Sequence, residues 1–296
     1  MSQLLDRADE RLVDLAWSLW TALGVSSWAS PADAAVIEVE PLLAYTAIVG
    51  KDDQRLLREV TSWVVEQMPL LSLRQFKSVV RAQRWPFEGP IEAFGATLAH
   101  ATGKTWPGKR TGPTAVPRGD RPATADLTKS CALQLRLRAL VGVSSRAEVI
   151  RVLLLADRPL TVSELSDRVA YTRRQVSGDI DLLLRASFVT RTSSSGTATV
   201  ELARRAIVRE VVGQLGRDVD WAPALRVLTG LRELLDDLDA HHWAEPSVEI
   251  ARQLRSLEPQ FERIRHDITP PAHTPEAVTD AIVELTRNLS AEIPES

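Results

Sequence analysis

Three tetrads between Ser145 and Gln175 repeat one chemical pattern at close spacing: Ser145-Arg146-Ala147-Glu148, Thr161-Val162-Ser163-Glu164 and Thr172-Arg173-Arg174-Gln175. Each sets a hydroxyl three residues ahead of Glu or Gln. In that arrangement the two side chains reciprocally satisfy free backbone N–H groups at a helix start. Three helix starts in so short a span leave room only for short helices joined by tight turns. No other feature of the chain restricts the fold as strongly.

Each tetrad opens an apolar pattern of helical period. After the first come Val149, Ile150, Val152, Leu153 and Leu154, stopped by Asp157-Arg158-Pro159. After the second, Leu165 and Val169 stand four apart. After the third, Val176, Ile180, Leu183 and Leu184 turn one stripe toward a core, and Arg173, Arg174, Ser177, Asp181 and Arg185 lie on the opposite stripe. Only Ala170 and Tyr171 separate the second pattern from the third tetrad, so these two helices meet at a steep angle. Phe188 to Thr192 and Thr197 to Leu202 are rich in β-branched residues around Ser193-Ser194-Ser195-Gly196, which predicts a β-hairpin.

The segment LTVSELSDRVAYTRRQVSGDIDLLLRASFVTR, residues 160–191, resembles the winged helix-turn-helix domain of bacterial transcriptional regulators of the MarR and ArsR kind. The resemblance implies a recognition helix in the DNA major groove and a wing on the backbone or minor groove. Carried over position by position, Thr172, Arg173, Arg174, Gln175 and Ser177 face DNA, and Arg191 with Ser193 to Thr197, Ser194 and Thr197 among them, form the wing contact. Arg173, Arg174 and Gln175 are assigned to base edges, and Thr172, Ser177, Arg191 and Thr197 to the backbone. The residue types suit these roles, since Arg binds guanine bidentately, Gln does so with adenine, and hydroxyls reach phosphate oxygens. Asp179 and Asp181 are expected to face away from phosphate or to accept from a cytosine. Gly178, which costs about 1 kcal/mol relative to Ala within a helix, is expected to permit close approach to a backbone. A winged helix used only for protein contact fits the same stretch.

Charge is distributed unevenly. The chain carries a formal net charge of −3, yet residues 136–209 hold 13 Lys+Arg against 7 Asp+Glu, while residues 210–296 hold 8 against 17. A basic middle inside an acidic chain supplies a local footprint for a polyanion.

The parts around this middle read as helical. Leu5, Leu12, Leu15, Ala16, Leu19 and Leu23 share a face of a first helix ending at Gly24. Pro41 opens a second helix, Asp52-Asp53 a third and Ser72 a fourth, and Ile91 to Ala101 gives a fifth. Tryptophans 17, 20, 28, 63 and 85 are expected in the core. From Thr102 to Lys129, four prolines and four glycines alternate and large apolar residues nearly vanish. This reads as a linker whose cations, among them Lys104, Lys109, Arg110, Arg118 and Arg121, suit a solvated tether or an arm along phosphates. Leu133 to Val141 forms a short helix between the front and the middle. Beyond the hairpin, helices are expected over Ala203 to Leu215, Asp220 to Leu238, Ser247 to Ile268 and Pro275 to Leu289, with a frayed tail at Pro294-Glu295-Ser296. The seam Leu228, Leu231, Leu235, Leu238 fits either intramolecular packing or a dimer interface.

The expected architecture is mainly α: a helical N-terminal domain over 1–101, a linker over 102–130, a winged helix-turn-helix with a small hairpin wing over 131–202, and a helical C-terminal region over 203–296. Catalysis is not expected, because GxSxG, HExxH, GxGxxG and CxxC are all absent. Gly103-Lys104-Thr105 is no phosphate loop, since Leu98 stands where its first glycine belongs. His241 and His242 are adjacent, so a helix splays them apart, and no metal or other cofactor is expected. The single Cys131 allows no internal disulfide, no acid-free apolar leader opens the chain, and no apolar run reaches membrane length. A cytoplasmic protein with no membrane contact is therefore expected. Its expected function is sequence-specific binding of double-stranded DNA as a transcriptional regulator, with a homodimer as one mode of assembly. The alternative is a protein-interaction adaptor or antitoxin-like component in which the acidic C-terminal helices grip a protein partner and the winged helix is structural or autoregulatory.

Overall fold

The computed structural model describes residues 1–107, 124–194, 196–241, 243 and 245–291. The linker cations Lys109, Arg110, Arg118 and Arg121, the wing residue Ser195, the side chain of Ser194, His242 and the tail Pro294-Glu295-Ser296 lie outside what is described. The described residues form thirteen α-helices and a three-stranded antiparallel sheet, so the chain is mainly helical.

Five helices come first: α1 (Ser2–Ala22), α2 (Val39–Val49), α3 (Gln54–Gln67), α4 (Leu73–Ala82) and α5 (Pro90–Thr102). Asp53 caps α3 by accepting from the backbone N–H groups of Arg55 and Leu56, and Ser72 caps α4 by accepting from that of Gln75. The second helix starts two residues before the expected Pro41, which falls within its first turn. Buried indoles are each given an acceptor, as a buried donor requires. Trp20 donates to Thr46 Oγ1 at 2.8 Å, Trp63 to the Leu23 carbonyl at 2.8 Å and Trp85 to Thr229 Oγ1 at 2.9 Å. Trp28 departs from the expected core set. It is 71% exposed, stacking on Trp17 with ring centroids 5.4 Å apart beneath the Arg55 guanidinium. The loop Val25 to Pro31 holds it outside the packed helices, where cation–π contact replaces burial.

The middle holds α6 (Leu133–Val141), α7 (Ser145–Leu155), β1 (Leu160–Thr161), α8 (Val162–Val169), α9 (Arg173–Arg185), β2 (Val189–Ser194), β3 (Thr197–Leu202) and α10 (Arg205–Val212). The sheet order is β1-β3-β2, with Leu160 opposite Val200 and Val189 opposite Leu202. A two-residue β1 joins the expected hairpin and ties the start of α8 to it. Val149, Leu153, Leu165, Val176, Ile180, Val189 and Val200 form an apolar cluster inside this middle.

Three helices from the far end, α11 (Trp221–Ala240), α12 (Pro246–Arg263) and α13 (Pro275–Ser290), close over the first five, α13 against α1 and α11 against α2. Both ends of the chain thus feed one larger apolar cluster. Leu228, Leu231, Leu235 and Leu238 are buried inside it, so the leucine seam is consumed by intramolecular packing and is not open to a second copy. α6 serves both cores: Leu135 enters the larger cluster, and Leu133 and Leu137 enter that of the middle.

Charge reinforces the seam between them. The Arg138 guanidinium, on α6, is buried. It donates to Glu40 of α2 at 2.7 and 2.9 Å, to Glu148 of α7 at 2.8 Å, to Gln75 of α4 at 2.7 Å and to the Leu70 carbonyl at 2.9 Å. Arg151 joins Glu148 at 3.1 Å to Glu38 at 3.2 Å. Four helices meet on these side chains. Burial alone would raise the Glu148 carboxyl, but the Arg138 and Arg151 charges outweigh it and hold Glu148 below its ordinary range. The first tetrad makes no capping box, because α7 takes Ser144 as its N-cap and Ser145 is already its first helical residue, which leaves Glu148 one place beyond the box position. Glu148 is drawn into the network, α7 begins without a side-chain cap, and the Ser145 hydroxyl donates to Asp179 instead.

Glu38 is the weak member. Burial pushes its carboxyl up to about 7, only partly offset by Arg151. Because the folded value lies above the unfolded 4.5, proton uptake favours the folded state. That contribution is complete below pH 4.5 and lost as pH rises through 7. Relative to Glu38→Gln, the wild-type chain should therefore lose about 3 kcal/mol of stability between these values. Urea midpoints of the two proteins across that window check it, and parallel profiles would refute it.

Candidate nucleic-acid interface

The surface built by α8, the turn after it, α9 and the hairpin is the one the sequence singles out. Thr161 starts α8 with a complete capping box. Its hydroxyl accepts from the Glu164 N–H at 3.2 Å, and the Glu164 carboxylate accepts from the Thr161 N–H at 2.7 Å. Arg158 at 2.6 Å helps hold that carboxylate down at about 2. Ala170 ends α8 in the left-handed region, with φ 53° and ψ 37°. An alanine there costs about 1–2 kcal/mol, so this reversal carries no glycine or asparagine signal in the sequence.

Tyr171 then anchors the turn. Its ring is buried in the core of the middle, and its hydroxyl lies 3.4 Å from Ser72 Oγ, the cap of α4. In the sequence this tyrosine shows no role beyond spacing. Its contact fixes the start of α9 against α4.

α9 buries Val176, Ile180 and Leu183 and turns its other side outward. Thr172 is exposed but engaged as the cap. Its hydroxyl accepts from the Gln175 N–H at 3.3 Å and donates to the Gln175 side-chain oxygen at 3.1 Å. Gln175 is thus half-buried and locally paired, its amide nitrogen without a partner among the described residues. The third tetrad is half a box, since the Gln175 amide meets the hydroxyl and not the Thr172 N–H. Arg173 is exposed and donates to Ser163 Oγ at 2.8 Å. Arg174 is exposed and has no partner among the described residues, and neither arginine pairs with a described carboxylate. Ser177 is half-buried. Gly178 is exposed, and a Cβ there would meet nothing within 4 Å, so no contact among the described residues demands a glycine.

The two acids of α9 are both directed elsewhere. Asp179 accepts from Ser145 and lies 3.5 Å from Arg146, at the start of α7. Asp181 pairs at 3.2 Å with Arg191 of β2. Arg191 therefore sits between hairpin and helix, its charge shared with an exposed carboxylate. At the hairpin tip Ser193 pairs with Ala198 and Ser194 with Thr197 in the ladder, and Ser193, Gly196 and Thr197 are exposed. The turn needs Gly196, at φ 82°.

Beside the first turn of α9 lies an open groove of about 720 Å³, bounded on its far side by α4. Arg74, Lys77 and Arg81 project from α4 along it. No sequence signal points to α4 as a wall of this groove, because its cations lie far from the tetrads in the chain. Among the described residues no group of three or more His, Cys, Asp or Glu side chains is placed to hold a metal ion, and no helix is long and apolar enough to cross a membrane. No family model, curated protein or solved structure matches this chain.

Proposed function

We propose that the chain is a transcriptional regulator that binds double-stranded DNA sequence-specifically through a winged helix, with α8 and α9 as its helix-turn-helix and the β2–β3 hairpin as its wing. The observation that carries this reading is the pair Arg173 and Arg174. They stand exposed at the N-terminal end of a helix whose other side is locked into a core, and no described carboxylate neutralises either. A helix in the major groove reads bases from this end.

The other residues support the same orientation. Gly178 leaves the outward face of α9 bare where a groove wall would approach. Asp179 is turned to α7, away from any phosphate. Arg191 exchanges Asp181 for a phosphate oxygen at small cost, because an exposed pair contributes only about 0–1 kcal/mol. Thr172, Ser177 and Thr197 contact sugar-phosphate, and Gln175 turns its free amide toward a base.

The test is selection from a random duplex pool by the full chain at about 150 mM salt, where exposed charges are already strongly screened. One enriched motif supports the reading, and a palindrome adds two copies on one dyad. No enrichment, with no retardation even at low salt, removes it.

One observation favours a protein-contact reading. α6 and α10 pack on each other and carry exposed Leu140, Val141, Ile207 and Val211, apolar surface of the kind that marks protein contacts. An adaptor of this type binds no duplex at any salt and co-purifies with another chain.

A further inference from the structure

The groove beside α9 has a second wall that base reading leaves unused. Arg74, Lys77 and Arg81 stand at i, i+3 and i+7 on α4, one face of that helix, opposite the buried Gln75, Phe76, Val79 and Val80. All three cations are exposed, and none pairs with a described carboxylate. Arg263 also reaches the groove, but Asp220 neutralises it at 2.6 Å. Asp167 of α8 is the one carboxylate among the described lining residues. The balance is two unopposed positive charges.

The two walls of the groove are also joined. Ser72 caps α4, meets the Tyr171 hydroxyl, and donates its backbone N–H to Glu40 at 2.9 Å. Glu40 in turn belongs to the buried network around Arg138. The residues that lead into α4 and α9, Ser72 and Tyr171, therefore meet, and the cations of one helix stand across the groove from Thr172 and Gln175 of the other.

We infer that α4 is a second DNA-contacting element, in which Arg74, Lys77 and Arg81 grip the phosphate backbone of the duplex that α9 reads. This rests on the DNA-binding reading of α9. From Arg74 to Arg81 the helix rises about 10 Å, comparable to the axial length of about three phosphate steps on one strand. A row of that length suits a repeating polyanion better than a single small anion. Its continuity with Thr172 and Gln175 places the strand it grips next to the bases under Arg173 and Arg174. Phosphate contacts carry no sequence information but set register and orientation, so α4 fixes how α9 enters the groove.

The experiment compares the full-length wild type with the triple variant Arg74→Gln/Lys77→Gln/Arg81→Gln. Glutamine keeps helix propensity close to that of Arg and Lys, and an unchanged urea midpoint verifies the fold. Binding is measured between about 50 and 200 mM salt on two duplexes of equal length, the selected motif and its scramble. The expected result is that the variant weakens on both duplexes in equal proportion. The slope of log affinity against log salt should become shallower by about 0.9 for each phosphate no longer neutralised, up to about 3 for the three. A variant with the wild-type slope on both duplexes overturns the role of α4 while leaving that of α9 intact. A loss confined to the selected motif also overturns it, because it makes these residues base readers. Failure of the wild type to bind either duplex overturns the reading of α9 and this inference with it.

Discussion

Replacing Arg138 with methionine should destabilise the chain by about 3–5 kcal/mol, the usual consequence of removing one partner from a buried ionic cluster. The reason lies in what is left behind. Glu40 and Glu148 each lose their nearest positive charge while staying out of water, and Gln75 and the Leu70 carbonyl lose their donor. Methionine fills much of the volume, so the loss is electrostatic and not a cavity. A chain of this kind has about 5–15 kcal/mol of total stability, which makes the effect a large share of it. The measurement is urea unfolding followed by tryptophan fluorescence, read as a fall in midpoint at constant m. The double variant Glu40→Gln/Arg138→Met separates charge from shape, because it removes Arg138 together with the carboxylate that has no other cation and leaves Glu148 paired with Arg151. Removing both charges together should restore most of the loss, and a double variant no better than Arg138→Met would show that the network acts through packing alone.

Arg173→Ala and Arg174→Ala should each weaken binding to the selected duplex by about 1–3 kcal/mol, or about five- to 150-fold. They should do so without moving the urea midpoint, since both side chains are exposed and neither joins an ion pair with a described residue. The pattern across sequences matters more than the size. An arginine bidentate to guanine loses discrimination at one position of the motif when truncated, and repeating the selection with the variant displays that position as degenerate. An equal loss on every sequence assigns the residue to phosphate. The two arginines should also differ. Arg173 already donates to Ser163 and must exchange that bond for a base, whereas Arg174 makes no such exchange, so the larger effect is expected at Arg174.

How much of this fold is legible in the sequence depends on distance along the chain. Helices with a hydroxyl or carboxylate cap or a strong apolar stripe are readable, because the signals sit within one turn: Asp53, Ser72, Thr161 and Thr172 all cap the helices they precede. The outward stripe of α9 is readable for the same reason. Signals that depend on partners far away in sequence are not. Glu148 has the spacing of a capping residue, yet Arg138 and Arg151 claim it. Leu228 to Leu238 has the spacing of a dimer seam, yet α12, α13 and the front helices cover it. β1 is two residues long, too short for any periodicity, and exists because β3 offers it a ladder. The left-handed Ala170 breaks the local rule outright and is held in place by the buried Tyr171 that follows it. Arg74, Lys77 and Arg81 have the pattern of an ordinary solvated helix face, and only the fold sets them opposite α9.

The shared duties of α6 bear on how this protein could be taken apart. A fragment cut at residues 131 and 202 would keep α8, α9 and the hairpin, yet it would carry Arg138 without Glu40 and Arg151 without Glu38. It would also bare Leu135, and Tyr171 would lose Ser72. α9 is therefore not a portable cassette. A chimera that borrows it must either bring the Glu38–Glu40 segment and α4 along or rebuild the inner faces of α6 and α7 with neutral, apolar side chains.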